Sequence, residues 1–350
     1  MKTIKDVDVK NKNILVRVDY NVPLKDGEVE NDLRIRASLP TIKYLLENDA
    51  KKIILISHLG RPEGEENPDY SLKPIAKTLK KLLPDQNIEF FSLPRNGAKI
   101  EAPKNTKIVL LENLRFDSGE EENSKDFIEN IIKSVDADLF VQDGFAVIHR
   151  AHASTDAVKN FLPVYAGLLL ETEIKNLESV LRNPAHPALL IIGGSKVEDK
   201  QPLIDKFVDK VDQIFVGGKI AADGYKSANK KIVVAKDFDE DKEGAKLDVG
   251  PVSTGELANL ITDAKTIIWN GLLGYAEDPT YATASTIAAE LIGEKADATT
   301  IICGGDTTAF VGNLKENHQS LSYSLVSTGG GAALELLLGK KLPGLESIQK

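Results

Sequence analysis

Short apolar runs alternate with amphipathic stretches along the whole chain. In the first half the runs start at residues 13, 52, 107 and 138, in "NILVRVDYN", "KIILISHLGR", "KIVLLENLR" and "DLFVQDGF". Each is a near-continuous block of branched and apolar residues, the pattern of a strand buried on both faces. Between them, Leu72, Ile75, Leu79 and Leu82 recur at helical spacing behind Ser71, and Phe127, Ile128, Ile131, Ile132 and Val135 repeat the pattern. In the second half "ALLIIGGSK", "QIFVGGK", "TIIWNGLLG", "TTIICGGD" and "SLVSTGGGA" all pass from an apolar block into glycine. Ser253 and Glu256 have capping-box spacing at the start of an intervening helix. Residues 163–181 read as one long helix connecting the halves, and "KDFDEDKEGAK" at 236–246 as a solvated loop. Strands alternating with helices predict an α/β protein with parallel sheets covered by helices.

The two halves end their strands differently. Open parallel sheets bind ligands at the carboxyl ends of their strands. The first half places Asp19, Asn21, His58, Arg61 and Arg115 there, with Arg34, Arg36, His149, Arg150 and His152 close in sequence. Guanidinium forks match phosphate and carboxylate oxygens, so several of them at one sheet edge predict a small, multiply charged anion. Singly, each arginine reads better as a surface ion pair, a reading that four together at strand or loop ends weaken, and each histidine reads equally well as a satisfied loop donor.

The second half offers glycine pairs, Lys196 and Lys200 in "GGSKVEDK", and Asp306 in "CGGDTT". Glycine-lined loops cradle phosphates through backbone N–H groups, and one carboxylate suffices for a magnesium ion that keeps waters and phosphate ligands. The G-x-x-x-x-G-K-[ST] loop is absent, and a lone Gly-Gly also serves a tight turn or close packing. Gly329, Gly330 and Gly331 separate Leu325 and Val326 from the helix formers Ala332, Ala333, Leu334, Leu336 and Leu337. They mark a helix start where a ligand can approach the backbone. Two anion sites, one with a magnesium carboxylate, point to phosphoryl transfer by positioning and electrostatics.

Composition narrows the setting. A chain of 350 residues, 42% apolar and 28% charged, is long enough for two domains with separate cores. A net charge of −9 argues against nucleic-acid or anionic-membrane surfaces, so cations that matter are clustered locally. The single cysteine, Cys303, leaves no internal disulfide, no Cys/His cluster has zinc spacing, and no run is long and apolar enough to span a membrane. The start "MKTIKDVDVKNKN" lacks the apolar core of a signal peptide. A reducing cytoplasm is the expected location, with no nucleic-acid and no membrane partner.

At its charged and glycine-rich positions the chain resembles the phosphoglycerate kinases. The matching motifs are "RVDYNVP" (17–23), "RIRASLPTIKYLL" (34–46), "SHLGRPEG" (57–64), "LLENLRF" (110–116), "HRAHAS" (149–154), "GGSKVEDK" (193–200), "DVGP" (248–251), "WNG" (269–271), "GGDT" (304–307) and "STGGGA" with "LELLLGKKLPG" (327–344), in the family's order. The resemblance implies two doubly wound domains joined by a long helix, with a cleft between them closed by hinge motion, and a monomer. The expected divisions are an acid-substrate domain at 1–162, a connecting helix at 163–181, a nucleotide domain at 182–335, and a tail at 336–350 packing back on the first domain. It implies that Asp19, Asn21, Arg34, His58, Arg61, Arg115 and Arg150 hold 3-phosphoglycerate or 1,3-bisphosphoglycerate. Arg34, Lys196 and the backbone of Gly330 would act on the transferring group. ATP or ADP would meet Lys196, Lys200, Gly217, Asn270, Glu277, Gly304, Gly305, Thr307 and Gly329, and Asp306 would bind Mg2+.

The chain departs from the family pattern in four places, one of them "VGGKIAADG" (216–224) in place of a G-G-G-M type segment. It reads "QDGFAVIHR" where the family usually has N-D-A-F-G-T-A-H-R, and Leu272 where proline usually follows W-N-G. Residues 219–247 form a short span where the family's is much longer, beside the expected adenine pocket. Retention of the charged set favours an active, shortened kinase. A non-catalytic paralogue binding a phosphorylated ligand is the alternative, and the altered 142–148 loop suggests a third reading, a kinase for a related carboxylic acid.

Overall fold

The computed structural model describes residues 1–95 and 97–348. The chain divides into two compact units. One comprises Met1–Thr172 together with the chain from Lys341 onward, and the other Glu173–Lys340.

The first unit is built on a six-stranded, all-parallel sheet ordered Ile88–Phe91, Ile108–Leu111, Lys52–Ile56, Asn13–Arg17, Leu139–Gln142, Val164–Ala166. The four apolar runs read from sequence form its middle, and Leu33–Glu47, Lys73–Leu82 and Lys125–Val135 are helices. Ile14, Val16, Ile53, Leu55, Ile108, Leu110, Leu139 and Val141 are buried in a core shared with Ile35, Ile42, Ile75 and Leu79. The strands therefore carry apolar side chains throughout because helices cover them.

The second unit has a six-stranded parallel sheet ordered Ile232–Val234, Gln213–Val216, Ala188–Ile192, Thr266–Asn270, Thr299–Cys303, Leu325–Val326. Numbered along the chain this is the 3-2-1-4-5-6 order of doubly wound folds, and its strand order reverses between Ala188–Ile192 and Thr266–Asn270.

Three elements differ from the sequence reading. Val164–Ala166 is the edge strand of the first sheet, and the helix runs only from Leu168 to Arg182. Pro163 and the β-branched Val164 favour extended backbone, and a Cβ on Gly167 would lie 2.1 Å from the Asp143 carboxylate, so the chain turns there. Part of the 236–246 stretch is an antiparallel ribbon, Phe238–Glu240 against Lys246–Val249, with Lys246 Nζ 4.9 Å above the Phe238 ring. Finally, Ser253 and Glu256 form no capping box. Pro251 opens the helix Pro251–Asp263, and the Asp237 carboxylate accepts from Val252 N and Ser253 N at 2.8 Å and from the Ser253 hydroxyl. Lys236 takes up Glu256 at 3.1 Å.

The end of the chain belongs to the first unit, where Gly344 N donates to Ile148 O at 2.9 Å. The last two positions of the 336–350 tail lie outside the described residues.

Candidate active site

In the first unit the loops after Asn13–Arg17, Lys52–Ile56 and Ile108–Leu111 converge at the carboxyl end of the sheet. Arg34, from the first turn of Leu33–Glu47, donates to Asp19 Oδ2 at 2.7 Å and to Asn21 O at 3.1 Å. Asn21 Oδ1 accepts from Gly60 N at 2.9 Å, tying the loop after the first strand to the loop that carries His58 and Arg61. Arg115 is buried, donates to Gly60 O at 2.7 Å and pairs with Glu121 at 3.0 Å; its Nε is buried without an acceptor. Arg61 is exposed, and Arg150 is half-buried with its Nε 3.4 Å from His149 Nε2. Each predicted residue except Arg61 and Arg150 is thus held within this network of hydrogen bonds, or, for His58, within the buried group described next.

His58 is buried and its ring is held far below the ordinary imidazole range, first by burial and then by Arg17, Arg115, Arg150 and Arg34. Burial and neighbouring arginines also push His152 down to about 4. Both rings are neutral at pH 7, so the local positive charge resides on guanidinium groups. Arg17 lies outside the predicted set, yet it is buried with its Nη2 3.2 Å from His58 Nδ1. A lone cation inside the apolar strand "NILVR" was the sequence signal for it. The cavities of about 600 Å3 in this unit, one beside Glu66, Ser71 and Glu112 and one beside Asp6, Tyr44 and Asp49, include none of the predicted residues.

In the second unit the glycine-ended strands meet at the switch point, where doubly wound sheets leave a ligand crevice. A Cβ on Gly193 would lie 2.2 Å from Leu272 O, and one on Gly271, whose φ is +103°, would lie 2.2 Å from Gly193 O. A Cβ on Gly217 would meet Leu273 at 2.8 Å. Gly193 and Gly271 serve close backbone approach between adjacent strand ends, and Gly217 makes room for neighbouring side chains. At Gly305 and Gly330, by contrast, a Cβ would meet nothing within 4 Å, and Gly330 has φ +44°.

Polar groups gather at the same edge. Lys200 Nζ donates to Asn270 Oδ1, and Gly271 N donates to the buried Thr307 hydroxyl at 2.9 Å. Burial lowers the Lys200 ammonium's pKa, opposed by Asp199, Cys303 and Asp306. Asp306 is exposed in the first turn of Gly305–Asn317, two residues beyond Gly304 at φ +93°. Lys196 is exposed and precedes the helix Val197–Phe207. Glu277 is exposed, and its Oε2 accepts from the Tyr275 hydroxyl at 2.6 Å. No hydrogen bond among the described residues joins Lys196 or Glu277 to the Lys200 group. Gly329 N donates to Ser327 Oγ at 3.1 Å, and the helix beyond it, Gly331–Leu337, has seven residues. The glycines that end the apolar runs therefore divide into packing positions and open ones.

Comparison with known proteins gives the family. The sequence model described as phosphoglycerate kinase matches residues 4–232 and 221–340, and the two matches meet inside the short 219–247 span. A phosphoglycerate kinase from Coprothermobacter proteolyticus is 38% identical over 399 aligned positions, covering 99% of this chain and 98% of the relative. One from Pseudothermotoga lettingae is 40% identical over 396 positions with the same coverage. The phosphoglycerate kinase structure from Coxiella burnetii superposes with a TM-score of 0.79 at 32% identity, covering 99% of this chain and 98% of that one. The one from Pyrococcus horikoshii gives 0.84 at 26%, covering 100% and 98%. Matched from end to end by sequence and by fold, the chain belongs to the phosphoglycerate kinase family.

Proposed function

We infer that this protein transfers a phosphoryl group reversibly between 1,3-bisphosphoglycerate and ADP, yielding 3-phosphoglycerate and ATP. The observation that carries the reading is that full-length family membership coincides with an intact charged set at two sheet edges: guanidinium groups around His58 in one unit, and Lys200, Asn270 and Thr307 at the switch point in the other. The non-catalytic alternative finds no support in these relatives, which are named as the enzyme. In this reading Asp19, Asn21, Arg34, His58, Arg61, Arg115 and Arg150 orient the acid and neutralise its charge. Arg34 and Lys196 stabilise the transferring group together with open backbone at Gly305 and Gly330. Lys200, Asn270 and Thr307 face the nucleotide phosphates, Gly217 borders the base, and Glu277 accepts from the ribose. No protein nucleophile is needed, since the substrate carboxylate and the nucleotide exchange the group directly.

The residues present fit a magnesium ion that arrives with the nucleotide. Asp306 is an exposed carboxylate beside the Lys200 group, and among the described residues no set of three or more His, Cys, Asp or Glu forms a protein cage. Mg2+ bound through one carboxylate and phosphate oxygens suits that donor set; when bound it would neutralise phosphate charge. A coupled assay with ATP, magnesium and 3-phosphoglycerate tests the function, and absence of turnover overturns it. The acid and nucleotide residues belong to separately packed units, so we propose that binding both substrates closes a hinge. Small-angle scattering should show compaction only with both ligands present. Working as a cytoplasmic monomer completes the reading, and a sedimentation profile of a dimer would correct it.

A further inference from the structure

Beneath the acid site of the first unit lies a buried polar chain that the reading above does not use. Glu120, fully buried, accepts from Ser154 N at 3.0 Å and from the Ser154 hydroxyl at 2.6 Å. With its proton committed to Glu120, Ser154 Oγ accepts from Arg17 Nε at 2.7 Å. Arg17 Nη1 donates to Val18 O, and Nη2, 4.0 Å from Glu120 Oε1, reaches His58 Nδ1 at 3.2 Å. Gln142, which stands where the family has asparagine, donates to Ser154 O at 3.5 Å.

Each link has a defined polarity. A guanidinium has donors only, so His58 Nδ1 must accept, and the one proton of the neutral ring is then on Nε2. Protonation of Nδ1 would place a donor against a donor in a buried site, where an unmade hydrogen bond is costly. The charged groups around the ring are Arg17, Arg34, Arg115 and Arg150, with the Glu120 and Asp19 carboxylates acting on Arg17 and Asp19 paired with Arg34; burial and the four arginines disfavour imidazolium.

We propose that Glu120 and Ser154 are positioning residues: they hold Arg17 so that it fixes His58 as the Nε2–H tautomer, presenting one directed hydrogen-bond donor to an anionic ligand. The proposal rests on the reading of this sheet edge as the acid site, but its first test does not use substrate. Long-range proton–nitrogen correlation spectra of the 15N-labelled full chain, with His58 assigned from a His58→Asn sample, should show a bare Nδ1 and a protonated Nε2 unchanged between pH 6 and 8. An Nδ1–H ring, an averaged pair of tautomers or imidazolium at pH 7 would overturn it.

The second test separates positioning from bulk stability. Ser154→Ala should average the His58 tautomers and raise KM for 3-phosphoglycerate roughly tenfold while changing kcat less than about threefold, and Ser154→Thr, which keeps the hydroxyl, should restore both. Glu120→Gln, which keeps the shape and removes the charge, should shift KM in the same direction. A Ser154→Ala protein with a fixed tautomer and normal KM sinks the idea, as does a Thr variant as impaired as Ala. A fixed tautomer in a chain that fails to turn over 3-phosphoglycerate would leave the relay standing and discard the assigned substrate.

Discussion

At the scale of single residues, charge matters where it changes between ground and transition states. Arg34 is anchored on Asp19 at 2.7 Å yet remains 31% exposed at its side chain, so it is held in place while still open to a ligand. Lys196 is exposed with no fixed partner among the described residues, which suits the role proposed for it, following the phosphoryl between two positions. Arg34→Ala and Lys196→Ala should each lower kcat roughly a hundredfold or more with little change in the melting transition. Rates near wild type in either protein would remove these residues from the mechanism. The sequence displayed the cations of the candidate site because they sit in short motifs at strand ends. It hid the relay behind His58, because Arg17, Glu120 and Ser154 lie far apart along the chain and only the fold joins them. Cβ clearance was equally invisible: Gly271 and Gly305 look alike in sequence, and only the packing of neighbouring strand ends tells them apart.

At the scale of elements, that glycine contrast becomes a test. Gly271→Ala places a methyl group 2.2 Å from Gly193 O at φ +103°, so it should destabilise the second unit by roughly 3 kcal/mol or prevent its folding. Gly305→Ala meets nothing within 4 Å and begins a helix. Its stability should hold or rise by up to about 1 kcal/mol, while KM for nucleotide rises if phosphate approaches that backbone. Equal stability loss in both variants would refute the division. The helix Leu168–Arg182 carries a second test. Glu173 in it is fully buried, accepts from Thr328 N at 2.7 Å and Thr328 Oγ1 at 2.9 Å, and leaves Oε2 without a donor. Burial pushes its carboxyl up to about 7, well above the ordinary carboxylate range. The folded state therefore binds the proton more tightly than the unfolded chain does. That contribution is whole below the unfolded pKa and is lost as pH rises through about 7, a change on the order of 3 kcal/mol. Asp143, buried at the N-terminal end of the same helix and also raised to about 7, adds a parallel slope. Urea unfolding of wild type and Glu173→Gln at pH 5 and pH 8 should show a smaller pH difference in the variant, and identical differences would mean that Glu173 stays ionised throughout. The run at 163–181 shows why such elements were only partly legible. Its helical periodicity is real from Leu168, but the three residues before Gly167 obey the sheet edge they pair with.

At the scale of the whole molecule, the short 219–247 span bears on how the proposed nucleotide site would divide between holding phosphates and recognising a base. At the proposed phosphate end, Lys200, Asn270, Gly271 and Thr307 are linked to one another by hydrogen bonds or by chain continuity at the switch point. The base end is sparse. Between Gln213–Val216 and the edge strand Ile232–Val234 lies only the five-residue helix Gly218–Ala222, and Lys219, which could have walled a base, pairs instead with Asp223 at 2.7 Å. Beyond it stand the ribbon Phe238–Glu240 with Lys246–Val249 and the loop of Tyr275, whose backbone donates to Leu247 O at 2.8 Å and whose side chain is 48% exposed. An exposed aromatic ring stacks on any purine, whereas large selectivity comes from buried polar groups left unpaired by the wrong base. ATP and GTP should therefore give kcat/KM values within roughly tenfold of each other under identical magnesium, with ITP between them. A preference for ATP of about a thousandfold or more would show that the shortened unit encloses adenine with hydrogen-bonding groups after all, and the sparse base end would then have to be abandoned as the determinant of nucleotide choice.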